Sequence, residues 1–81
     1  MMPPLSNFKR FDVRDLIRQG IEPFPEIHQR VAALGANDGL IIVAPFLPSP
    51  LVEKLASEGF AAKVERGPGS NWRVYFWRED R

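Results

Sequence analysis

Glu22 stands directly ahead of Pro23-Phe24-Pro25, and the sole histidine, His28, follows close behind with Glu26 between them. With Asp12 these are the residue types that hold a hard or mixed-ligand metal ion. Glu22 and Glu26 are four apart, but Glu22 falls before the helix that Pro23 or Pro25 opens, so the helix gathers only part of the set. His28 lies about 100° round the helix from Ile27, on the flank of an apolar stripe. A solvated flank histidine is the plainer reading, and no metal or cofactor is assigned.

Asp12 and Arg14 are two apart and share a side if their strand continues, so they can form a local ion pair. The alternative is a ligand anchor, because the carboxyl end of a parallel strand beside a helix N-terminus is where anions collect. Two strand-to-helix junctions carry the same Pro-Phe pair, Pro23-Phe24 and Pro45-Phe46. Both junctions should open on one edge of the molecule. The candidate ligand-binding residues are therefore Asp12, Arg14, Glu22, Pro23, Phe24, Pro25, His28, Pro45 and Phe46. Each phenylalanine also has a purely structural reading, as a staple sealing its helix.

The elements that must position these residues follow from periodicity and punctuation. Phe8 to Val13 alternates as a strand, with Phe11 and Val13 on one face and Arg10 and Asp12 on the other. Arg14 to Ile21 reads as a connection with at most an irregular turn. A first helix runs from Pro23 or Pro25 to a stop at Gly35, with Ile27, Val31 and Leu34 as its buried stripe. Leu40 to Ala44 is apolar on both faces, as a central strand is. Ser49 is placed to cap a second helix with Pro50 at its first position, and Leu51, Val52, Leu55 and Ala56 face inward. Gly59 closes it in a Schellman ending, with Phe60 packing back on Leu55. Ala61 to Arg66 is a third strand with Ala62 and Val64 inward. Gly67 to Asn71 is a hairpin loop, Trp72 to Trp77 a fourth strand, and Arg78 to Arg81 a charged tail.

The order β-α-β-α-β-β, with right-handed crossovers, predicts an α+β two-layer sandwich: a mixed four-stranded sheet with two helices on one face. Residues 1–7 read as a flexible N-terminal tail and 8–81 as one domain. On the face without helices, Tyr75 and Trp77 should be presented beside an aliphatic residue of the second strand. They are the candidate interface residues. The competing reading is that they only shield the sheet, flanked by Lys63 and Glu65.

Composition removes several classes of function. The chain has 81 residues and no cysteine, which excludes disulfides, thiolate metal sites and cysteine nucleophiles. The net charge of +1 gives no global attraction to nucleic acid or anionic membrane. Lys9, Arg10, Arg14 and Arg18 make the N-terminal quarter basic, but no basic and aromatic residues interleave on adjacent strands, so RNA binding is the least favoured reading. No signal-peptide or membrane-spanning run is present, and the expected location is the cytoplasm.

The strand order and the proline-flanked helix start resemble the TusA-like (SirA-like) sulfur carriers. Their fold is similar to the C-terminal domain of translation initiation factor three. Phe11-Asp12 fits the end of the carriers' first strand, Gly20 their glycine, and Pro23-Phe24-Pro25 their Pro-x-Pro. Glu22 occupies the position of the carrier cysteine. The chain is more closely similar to an uncharacterised domain-of-unknown-function family related to these carriers. That similarity rests on Asp12-Val13-Arg14, on the junction Pro45 to Leu51, on Gly59-Phe60 and on Trp72. It implies a bacterial cytoplasmic protein near sulfur, redox or metal-cofactor metabolism. It also implies that persulfide chemistry is lost, since glutamate cannot hold a persulfide.

The function expected from the sequence is a non-catalytic binding or protein-interaction module, whose partner is a protein or a second copy of itself. The alternative is a small-ligand or metal-binding domain at the junction edge.

Overall fold

The computed structural model describes residues 2–79. Met1 and the last two residues of the charged tail lie outside that range. Four strands, β1 (Phe8–Asp12), β2 (Gly39–Ala44), β3 (Phe60–Arg66) and β4 (Trp72–Arg78), form one mixed sheet in the order β1-β2-β4-β3. β1 runs parallel to β2, and β4 is antiparallel to both of its neighbours. Three helices connect them: α1 (Arg14–Arg18), α2 (Phe24–Ala32) and α3 (Ser49–Ala56). The expected α+β sandwich is the observed fold, with α1 as an addition to it.

Burial by the main helices explains which face each strand residue takes. Phe11 pairs with Ile42, Ile42 with Val74, and Leu40 with Phe76. Leu40, Ile42, Val74 and Phe76 form the core with Ile27 and Val31 of α2, Leu55 of α3, and Phe60, and the half-buried Phe11 packs against it. Ile42, Val31, Leu55, Val74 and Phe76 are completely buried. Burying each such side chain contributes roughly 1.5–3 kcal/mol.

Several local expectations are corrected. Residues 14–21 are not irregular. α1 occupies the first five, and the chain then leaves through a complete Schellman ending. The Gly20 N–H donates to Ile17 O at 3.0 Å and the Ile21 N–H to Leu16 O at 2.9 Å, with Gly20 at φ +77°. Gly35 does not adopt the left-handed conformation. Arg78 closes α2 instead, donating from Nε to Leu34 O at 2.9 Å and from Nη2 to Ala32 O at 3.0 Å. A guanidinium satisfies the orphan carbonyls and meets the negative end of the helix dipole. Pro48, not Ser49, precedes α3, and no side-chain hydrogen bond caps it. Val64 faces the helix side but is 41% exposed, because β3 is an edge strand that the helices do not fully cover.

The face without helices is not bare. Tyr75 and Trp77 lie on it, as expected, yet each is only 8% exposed. Phe8 lies edge-on to both rings, with centroids 5.6 Å from Tyr75 and 6.3 Å from Trp77. Phe8 can reach them because its ring lies over Gly39, where an added Cβ would stand 2.3 Å from it. The expected exposed patch is therefore sealed from within the chain. The Tyr75 hydroxyl donates to Glu65 at 2.9 Å, and Lys63 approaches the ring at 6.0 Å, the shielding arrangement given as the competing reading. The segment read as a tail carries a 3-10 turn at Leu5–Asn7, and the Asn7 side-chain amide donates to Asn37 O at 2.8 Å.

Candidate functional site

The two Pro-Phe corners open on one edge, and between them lies a cavity of about 400 Å³. Val13 and Ile17 line it from the end of β1 and from α1, Ile42 and Ala44 from β2, and Pro23, Phe24 and Ile27 from the start of α2. Phe46, Pro48, Pro50 and Leu51 close the side made by the β2–α3 junction and α3. Glu22 and Lys54 are the charged residues of the lining. Proline at the start of each helix removes N–H groups that would otherwise need water or a partner, and so keeps the mouth apolar. Phe46 is 52% exposed, and Leu47 beside it 39%.

Glu22 has a structural task here. Its carboxylate accepts the Phe24 N–H at 3.2 Å, satisfying one of the orphan donors of α2. A negative charge there also meets the positive end of the helix dipole, worth about 0.3–1 kcal/mol.

The other expected residues disperse. Asp12 and Arg14 pair through several bonds: Arg14 Nε donates to Asp12 Oδ1 at 2.9 Å and Nη2 to Oδ2 at 2.5 Å. Asp12 Oδ1 also accepts the Arg14 N–H at 3.0 Å, so the carboxylate anchors the start of α1. Hydrogen bonding by the Arg14 side chain holds the Asp12 carboxyl down at about 2. This pair lies outside the apolar cavity. His28 also lies outside it, since its Nε2 meets Glu58 at 2.8 Å and its ring leans on Phe24 with centroids 5.6 Å apart. That contact ties the start of α2 to the turn after α3. His28 therefore stands with Glu58, not with Glu22, Glu26 and Asp12, and among the described residues no three potential ligands converge on a metal position. Pro25 and Pro45 belong to the corners without lining the cavity.

Of the nine expected ligand residues, Glu22, Pro23, Phe24 and Phe46 thus share one site. Ile17, Leu51 and Lys54 were not expected in it. Ile17 could not be placed while its segment was read as a loop. Leu51 reads in the sequence only as a core position of the second helix, and Lys54 carries no local signal that marks it.

The motifs that span both corners have a counterpart among known sequences. Residues 10–78 match the family described as "Uncharacterized conserved protein (DUF2249)". The chain belongs to that family. The match runs from within β1 to the end of β4, so the DUF2249 unit contains both corners and all of the sheet but the first two residues of β1. A comparison with curated proteins found no match.

Proposed function

We propose that this DUF2249 chain is a non-catalytic binding module that receives apolar side chains of a partner protein in the cavity between its two Pro-Phe corners. The lining carries this reading. It is apolar apart from Glu22 and Lys54, so it offers little to orient a polar metabolite. The exposed Phe46 and Leu47 extend the apolar surface beyond the mouth, as a protein anchor site requires. Glu22 is engaged at the start of α2, Lys54 lies 3.8 Å from Glu58, and His28 stands outside the cavity with Glu58, which supports a binding rather than a catalytic role.

Kinship with the TusA-like carriers is part of the same proposal. It is supported by the strand and helix order and by Pro23-Phe24-Pro25 at the start of α2. On that kinship the module is bacterial and cytoplasmic, works near sulfur or redox metabolism, and has exchanged the carrier's reactive sulfur for a helix-capping carboxylate.

A photoreactive phenylalanine analogue at Phe46, expressed in the native host, tests the reading. The expected result is one predominant conjugate, with the cross-link mapped to an apolar residue of the partner and lost when that residue is changed to alanine. The second reading, an apolar small ligand, predicts instead a copurified compound of defined mass in native mass spectrometry, released by Phe24→Ala. That result without a conjugate overturns the protein-anchor proposal.

A further inference from the structure

On the opposite face of the sheet from the apolar cavity, at the same end of β1 and β2, three arginines surround a second cavity of about 340 Å³. Arg10 comes from β1, Arg14 from α1 and Arg73 from β4. Val43 provides part of the wall, and the hairpin loop supplies Gly67, Pro68 and Asn71. We propose that this cavity binds a small monocarboxylate.

The first argument is an excess of donors. Arg14 commits Nε and Nη2 to Asp12. Arg73 commits Nη2 to Glu65 at 3.0 Å, while its Nε is buried with no hydrogen-bond partner. Arg10 makes no ion pair or side-chain hydrogen bond with any described residue, yet lies near enough to Asp12 for its charge to help lower that carboxyl's pKa. A concave surface this rich in N–H groups is completed by a ligand that brings oxygen acceptors.

The second argument is charge. Three guanidiniums, Arg10, Arg14 and Arg73, face two carboxylates, Asp12 and Glu65, which leaves one positive charge. A single negative charge balances it, whereas a phosphate dianion overshoots. A carboxylate matches the planar guanidinium fork in shape as well as charge. The third argument is the lining, in which Val43 and Pro68 provide apolar contact for a short alkyl group.

The test is a titration followed by proton–nitrogen correlation spectra that include the arginine Nε–H signals. Sodium propionate, formate and phosphate are added in turn at ionic strength held constant with sodium chloride. Propionate is expected to shift the Arg10 and Arg14 Nε–H signals and the Asn71 side-chain amide to saturation, and to bind more tightly than formate. Arg10→Gln, at an exposed position, should keep the folded spectrum and weaken propionate about tenfold, as expected for loss of a charge-assisted contact. Phe46→Ala, in the other cavity, should leave propionate affinity unchanged, so this result stands or falls apart from the protein-anchor reading. Unsaturated shifts that chloride reproduces, an affinity unaltered in Arg10→Gln, or tighter binding of phosphate than propionate would each overturn the proposal.

Discussion

The two cavities share a backbone and differ in almost everything else. Ile42 and Ala44 line the apolar one, and Val43, between them, lines the arginine one. Val13 belongs to the first and Arg14, its neighbour, to the second. Alternation along β2, and the turn into α1, sort neighbouring residues to opposite sides of a partition one strand thick. The apolar side is built over the core, so its deeper residues both stabilise the fold and shape the site. The arginine side is built from half-exposed ion pairs, so its residues affect recognition more than stability.

The largest expected effect separates these roles. Ile42→Ala should cost about 2–5 kcal/mol of unfolding free energy in urea, since Ile42 is completely buried in the core. Arg10→Gln on the other side should change stability by less than about 0.5 kcal/mol. Comparable losses for the two would break the contrast.

Gly39→Ala should rank next, at about 1–3 kcal/mol, because the new methyl displaces the Phe8 ring from Tyr75 and Trp77. A rise in tryptophan accessibility to a neutral quencher would report the same displacement.

Smaller again is the Asp12–Arg14 pair. The carboxyl's folded pKa of about 2 lies below its ordinary 3.8, so the pair's contribution is fully present above 3.8 and lost as pH falls through 2. With both side chains about a third exposed, the contribution is at most about 1 kcal/mol. Asp12→Asn should remove that acid-side slope from the pH dependence of stability. Tyr75 acts at the other extreme. Burial, aided by its bond to Glu65, raises its pKa above 10.0, so stability should fall as pH climbs past 10.0, and Tyr75→Phe should flatten that decline.

The smallest effect on folding should come from Phe46→Ala, within about 0.5 kcal/mol because the ring is half exposed. The same change should weaken capture of the partner protein, which separates a site residue from a core residue within one cavity.

The apolar cavity was the more legible of the two. Two Pro-Phe pairs at strand-to-helix junctions, together with the parallel β1–β2 pairing they imply, were enough to bring Phe24 and Phe46 to one edge. The Leu40–Ala44 run and the stripe through Ile27 and Val31 read correctly because each repeats a single period over several residues. α1 escaped notice because five residues show little more than one helical turn, and three of its five, Arg14, Asp15 and Arg18, are charged. Arg78's role at the end of α2 and the seating of Phe8 over Gly39 depend on contacts between distant segments, which no local pattern encodes. The arginine cavity was hidden for the same reason. Arg10 and Arg14 lie near each other in sequence, but Arg73 joins them only through the pairing of Val43 with both Asp12 and Arg73.

The sheet order has one more implication. β4, the last of these four strands in chain order, stands between β2 and β3 and, among the described residues, joins them. A nascent chain that has reached Asn71 has β3 with no strand beside it and α2 without the Arg78 clasp. Chain growth therefore leaves the apolar edge of β2 open until the final strand slots into the middle, and during that interval a chaperone has most reason to attend this small protein.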